Sequence, residues 1–318
     1  MIPRMPPQEA RLGFVYSAPY RIQGVSVAGE QAVVHVPELD VVFDIGLCPR
    51  PALAPSTVAL THTHMDHVAG LPYWFSQRFF QKMPGNGRCL VHEKMAEPLR
   101  RMMASWVDLE RQKTPHEIVG VEPGQEIELR PNLFLRAIEV SHTIPALAFV
   151  AIERRSKLRE EFHGLSQEKL RELRAGGTEI TKTLEIPLVA YTGDTEPGDF
   201  LFREEFCKAH VVITECTFFE DEHRDRAKIG KHIHVDDLRP LLEAWTCRDV
   251  VVAHVSRRTL MQFARERIEA IAGPERAQNV HLLMDHRTNK ARHESQMAAA
   301  GDTQKSRDAS AGAATEGS

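Results

Sequence analysis

The sequence predicts an α/β fold in which sheets are covered by layers of helix. Three observations carry this. Short apolar runs rich in Val and Ile alternate with amphipathic stretches from about residue 12 to residue 287. The 318 residues are 42 % apolar and 26 % charged, the composition of a chain with ample core. The sequence has no repeat at solenoid spacing, and no apolar run approaches the length that spans a bilayer.

The elements follow in order. Residues 31–36, 41–45 and 57–60 read as strands because β-branched side chains dominate them. Residues 68–80 and 94–111 read as amphipathic helices. Further strands are expected at 133–140, 147–152, 188–191, 210–214, 250–253 and 280–284, with helices at 235–245 and 260–272 between them. Strands mixed with helices suggest sheets flanked by helical layers. Residues 153–187 are charged and weakly patterned and read as an insertion, with eight Lys/Arg against six Glu up to residue 182. Residues 288–318 are rich in Ala, Ser, Gly and charge. Such a tail buries too little surface to offset its ordering and is expected to be disordered, leaving one domain over 1–287.

Bulk properties narrow the function. A net charge of −4 excludes a wholesale basic coat for nucleic acid and leaves room for local patches. The five cysteines (Cys48, Cys89, Cys207, Cys216, Cys247) are odd in number, widely spaced and form no C-x-x-C. That excludes a disulfide framework and a thiolate zinc site, so a metal here is held by nitrogen and oxygen. The stretch MIPRMPPQEARLGF has no apolar core of signal-peptide type, and the expected location is cytoplasmic.

Chemistry concentrates in LTHTHMDHVAG, residues 60–70, which follows an expected strand and precedes an expected helix. In an extended segment His62 and His64 share a face, and the turn that follows sends Asp66 and His67 to another side. One run thus offers two ligand pairs to two neighbouring ions. Imidazole and carboxylate suit zinc, and also manganese or iron. Two ions need more donors, and His142, Asp194 and His254 each stand at the end of an apolar strand. The expected assignment is His62, His64 and His142 on one ion, Asp66, His67 and His254 on the other, and Asp194 shared.

Seven stretches, VVFDIGLCP, THTHMDHVAGLPYW, SHTIPALAFV, AYTGDT, TECTFFED, GKHIHVDDL and AHVSRRT, resemble the metallo-β-lactamase superfamily in order and spacing. Within it they are most similar to ribonuclease Z, which trims the 3′ end of precursor tRNA, in its short plant and cyanobacterial form. The resemblance runs from about Gly24 to His286. It implies an αββα sandwich of two packed mixed sheets flanked by helices. It further implies a dinuclear phosphodiesterase, most simply with zinc, in which a hydroxide between the ions attacks phosphorus. Precursor tRNA is the implied partner, and a homodimer the implied assembly, with no membrane involved.

The resemblance also suggests roles. Asp66 would orient the attacking water as well as bind an ion. His232 matches a proton-donating His ahead of a helix, and Glu215 of TECTF matches the Glu that assists it. His234 is the alternative acid and, with Arg258, a candidate substrate contact. Arg258 matches an Arg that meets substrate phosphate. The family's tRNA-gripping arm would fall within 153–187. The other histidines, His35 among them, read as structural or solvated. The residues leave open two other readings: a hydrolase of this fold for a small phosphodiester or ester-type substrate, and a metal-bound non-catalytic binding protein.

Overall fold

The computed structural model describes residues 11–85 and 87–315, with side chains as far as residue 301. The strands sort into two sheets of seven, each in sequence order. The first holds β1 (Gly13–Ser17), β2 (Tyr20–Val27), β3 (Gln31–Val36), β4 (Val41–Phe43), β5 (Thr57–Ala59), β6 (Arg88–His92) and β7 (Ile118–Val121). The second holds β8 (Glu126–Arg130), β9 (Leu133–Val140), β10 (Ala146–Leu158), β11 (Thr181–Tyr191), β12 (Val211–Glu215), β13 (Asp249–Ala253) and β14 (Val280–Leu282). In each sheet the first four strands pair antiparallel and the later ones join in parallel.

Parallel neighbours need crossovers, and helices supply them. Between β5 and β6 lie α1 (Met65–Val68) and α2 (Leu71–Phe80), and α3 (Glu93–Glu110) links β6 to β7. In the second half, α4 (Gln167–Ala175) falls between β10 and β11, and α5 (Glu204–Cys207) between β11 and β12. Next, α6 (Arg224–Gly230) and α7 (Leu238–Ala244) lead to β13, α8 (Met261–Ala277) leads to β14, and α9 (His286–Thr315) follows.

Three apolar layers hold these elements. Between the sheets, Val34, Phe43 and Leu90 pack with Leu135, Phe149 and Val251. Outside the first sheet, Val42, Val58 and Val91 meet Trp74, Phe75 and Leu99 of α2 and α3. Outside the second, Val150, Val250 and Val252 meet Leu241 of α7 and Ile268 of α8. Strand β13 shows the cause in one run. Its neighbours Val250, Val251 and Val252 are fully buried and serve opposite faces, because side chains alternate along a strand. The result is the αββα sandwich that the resemblance implied.

The sequence reading differs from the structure in four places. The helix expected at 68–80 divides into α1 and α2 at Ala69 and Gly70, where Gly70 N–H leaves the helix ladder for the Ile45 carbonyl at 2.7 Å. The 153–187 insertion is largely strand. β10 and β11 continue past the sheet as a two-stranded arm, in register to Leu158 opposite Thr181, with α4 at its tip. Both arm faces meet solvent, so charge pairs such as Arg154–Glu185 (2.7 Å) replace apolar alternation as its cross-strand signal. Strands β1, β2, β6, β7 and β8 also escaped the reading.

The fourth difference corrects the expectation of a disordered tail from residue 288. His286–Thr315 is one helix, and its first turns are tied to the sandwich. Asn289 Nδ2 donates to the Leu282 carbonyl (2.9 Å), and Arg292 donates to the Tyr16 carbonyl (2.8 Å) and to Asp249 (3.1 Å). Asp249 in turn accepts from Ser17 and His281. Polar anchors do here what apolar burial could not. Residues 316–318 of the expected tail lie outside the described residues. Among the described residues no helix is long and apolar enough to cross a membrane.

His35 on β3 is buried, and its Nδ1 accepts from Gln23 Nε2 at 2.9 Å. Burial lowers its pKa to about 4 from an ordinary 6.5. Between those values the unfolded chain takes a proton that the folded chain refuses. Stability from this site is therefore full above pH 6.5 and is lost as the pH falls toward 4. Urea unfolding at pH 7.5 and 5.5 is expected to show wild type losing about 1 kcal/mol more than His35→Gln. Equal losses would exclude the effect.

Candidate metal centre

The site forms where the two sheets present the same rim. Thr61–His67 follows β5, His142 follows β9, Asp194 follows β11, Glu215 ends β12 and His254 follows β13. Local backbone demands place these side chains. Gly46 passes so close to the Asp66 carbonyl that a Cβ would stand 1.6 Å from its oxygen, and only glycine permits that approach. Asp44 and His254 both sit at positive φ, 57° and 56°, a conformation that must be held by surrounding bonds. For His254, the backbone N–H donates to Ser26 Oγ at 2.9 Å.

The five rings have their nitrogens sorted. His62 Nδ1 faces Thr61 Oγ1 (3.1 Å), and His67 Nδ1 donates to Asp44 Oδ2 (2.8 Å). His142 Nδ1 donates to the Lys231 carbonyl (3.1 Å), and His254 Nδ1 to Thr217 Oγ1 (3.1 Å). In the neutral form of each ring the partnered nitrogen holds the hydrogen, and Nε2 then carries the free lone pair. His64 is reversed: its Nε2 faces Thr143 Oγ1 at 3.4 Å and its Nδ1 turns inward.

The inward atoms converge in two groups. His62 Nε2 and His142 Nε2 lie 3.0 and 3.2 Å from His64 Nδ1. His254 Nε2 lies 3.3 Å from both His67 Nε2 and Asp66 Oδ2. Asp194 Oδ2 stands between them, 3.9 Å from His62, 3.3 Å from His67 and 3.4 Å from His254. A divalent cation would satisfy the lone pairs gathered here. A zinc-sized ion with bonds of about 2.1 Å sets its ligands roughly 3.4 Å apart. The donor chemistry and spacing therefore fit a dinuclear site, and each group lies within the reach of one ion.

Electrostatics divide the rings. Burial pushes the His62, His64 and His142 rings down, into the neutral form that binds cations. Burial also pushes His67 down, but the Asp194 and Asp44 carboxylates outweigh it and hold that ring well above its ordinary value. Burial would raise Asp194, and the surrounding His254 and His67 instead hold it well below the usual range.

Beside the cluster stands a second arrangement. His232 Nδ1 donates to Glu215 Oε1 at 2.9 Å. Glu215 also accepts from Thr195 N–H (2.8 Å) and Thr217 Oγ1 (2.7 Å), which locks its orientation. Burial pushes His232 down, Glu215 more than reverses this, and the ring is raised to about 9. Its Nδ1 is taken, so Nε2 is the atom left to serve the cavity of about 470 Å³ that covers the cluster.

Arg258 is exposed and lines that cavity. His234 does not line it. Its Nε2 donates to the Glu220 carbonyl (3.1 Å) and its Nδ1 accepts from Asp236 N–H (3.3 Å), so both nitrogens cap the turn ahead of α7. Sequence reasoning missed Asp44. This buried carboxylate accepts from Thr61 N–H (2.7 Å), Tyr191 OH (3.0 Å) and His67. It stands just past strand β4 in VVFDIG, the same strand-end signal that marked Asp194. Thr217 carried no sequence signal of its own.

Fold and cluster together define a class, and comparison with known proteins bears it out. The family described as "Beta-lactamase superfamily domain" matches residues 47–255, and this chain belongs to that superfamily. More particularly, it is related to tRNase Z proteins of Arabidopsis thaliana. It is 30 % identical to tRNase Z TRZ1 over 259 residues, covering 80 % of this chain and 92 % of that one. It is 29 % identical to the chloroplastic tRNase Z TRZ2, covering 78 % and 71 %. The crystal structure of human tRNase Z, short form, shares the fold with a TM-score of 0.56 at 16 % identity, covering 86 % and 96 %.

Emission spectrometry is expected to find about two ions per wild-type chain, and fewer than one in Asp194→Ala. Asp44→Asn should keep the ligands and lower metal affinity about 10–100-fold in chelator competition. Wild-type metal content in Asp194→Ala would refute the shared position.

Proposed function

We propose that this chain is a dinuclear metal-dependent phosphodiesterase of the tRNase Z type that cuts precursor tRNA at its 3′ end. One observation carries the reading. The converging donor cluster shares its cavity with a histidine whose Nδ1 is anchored on a buried carboxylate. That is the equipment for hydrolysis with a poor leaving group, and the tRNase Z relatives supply the substrate class.

His62, His64 and His142 would hold one ion, Asp66, His67 and His254 the other, and Asp194 both. Two divalent ions, most simply zinc, would supply a water of lowered pKa and positive charge against the phosphoryl oxygens. Asp66 orients the attacking water. His232, anchored at Nδ1 by Glu215, gives the Nε2 proton to the departing ribose oxygen, and Glu215 steadies the imidazolium before transfer. Arg258 meets a phosphate at the cavity mouth. In this reading the β10–β11 arm would contact the body of the tRNA, and the protein would act as a homodimer in the cytoplasm.

The test is a precursor tRNA carrying a 3′ trailer. Metal-loaded wild type is expected to make one cut at the trailer junction. His232→Gln should lower kcat by about 10²–10⁴-fold with metal content unchanged. Hydrolysis of bis-p-nitrophenyl phosphate without any cut in the RNA would overturn the tRNA reading in favour of a small substrate.

A further inference from the structure

Three arginines line the cavity: Arg226 of α6, Arg257 and Arg258. Arg257 is committed to Glu30. Among the described residues, Arg226 has no carboxylate partner and no side-chain hydrogen bond. It is instead shelved on an aromatic ring, its guanidinium carbon 5.7 Å above the Phe218 centroid. Phe218 also lines the cavity, and its ring meets His232 edge-on with centroids 6.0 Å apart. An exposed arginine without an acid is ordinarily free to wander. This one is held against a ring that borders the cavity, with its donors unspent.

The position gives the shelf a direction. His232 serves the leaving ribose oxygen in the reading above, and Phe218 touches His232. The Arg226–Phe218 pair therefore stands on the leaving-group side of the reacting phosphate. Ions held by the seven clustered donors would serve the reacting phosphate itself, so a neighbouring phosphate needs a cation of its own. Arg226 can, through paired N–H donors in a geometry prepared before substrate arrives.

We propose that Arg226, shelved on Phe218, binds a backbone phosphate on the leaving-group side of the scissile bond. Arg226 is thereby a substrate-positioning contact that distinguishes a polynucleotide from a small phosphodiester. This rests on the tRNA reading and deepens it.

The test uses the metal-loaded full chain and two readouts. In steady-state cleavage of trailer-bearing precursor tRNA, Arg226→Ala should raise KM about tenfold, more than it lowers kcat. In fluorescence anisotropy with tRNA already trimmed at the cut site, its affinity should depend less on salt. The slope of log Kd against log salt should shrink by about 0.7–0.9, the contribution of one phosphate contact. Arg226→Lys keeps the charge and should restore the slope. Should the alanine variant fold poorly, Arg226→Gln removes the charge while keeping much of the side chain and should show the same smaller slope; a wild-type slope there would overturn the inference. Wild-type KM and slope in Arg226→Ala would overturn the inference while leaving the tRNA reading intact. Failure of wild type to cut the RNA at all would remove both.

Discussion

One buried carboxylate joins the parts on which the site depends. Asp44 leaves β4 in a left-handed conformation and accepts from the Thr61 backbone and hydroxyl, from His67 and from Tyr191. Thr61 and His67 belong to the loop after β5 of the first sheet, and Tyr191 ends β11 of the second. A single side chain therefore sets the loop that carries four of the clustered donors and pins that loop to the opposite sheet. A buried carboxylate costs several kcal/mol unless its lone pairs are filled, and here they are. That demand is what makes the arrangement specific, because moving any one partner leaves a buried charge exposed to nothing.

The same economy appears at Glu215. It fixes His232 while Thr217, one of its partners, orients His254. The proposed acid and one member of the converging donor cluster are thus held through one carboxylate and one hydroxyl. The rim that carries all of this exists because each sheet changes from antiparallel to parallel pairing after its fourth strand. Parallel strands send their ends in one direction, and β9, two antiparallel pairings from β11, runs the same way. Two such sheets packed face to face bring His62, His142, Asp194 and His254 together from positions up to 192 residues apart in the chain (62 to 254).

Legibility followed a physical rule. Segments buried on both faces, such as β3 and β13, announced themselves through Val-rich runs. The arm did not, because its strands lie in water, where Arg154 of β10 pairs with Glu185 of β11, and both reach Glu126 of β8 or Arg136 of β9, in place of apolar alternation. The head of α9 did not, because its attachment is a few hydrogen bonds from Asn289 and Arg292. His234 and His232 stand two residues apart in GKHIHVDDL and look equivalent in sequence. Only the fold turns one toward Glu215 and the other into a helix cap.

By itself, then, the sequence determined sheets flanked by helices, the donor run at Thr61–His67 and the three distant donors, since strand ends and residue chemistry are local properties, and the family resemblance added the sandwich. Tertiary structure decided the remainder: which ring nitrogen turns inward, which of two neighbouring histidines meets a carboxylate, and that Asp44 belongs to the site at all. Those are relations between segments far apart in the chain. They come into being only when packing of the two sheets brings the segments within hydrogen-bonding distance, and no periodicity along the chain records them.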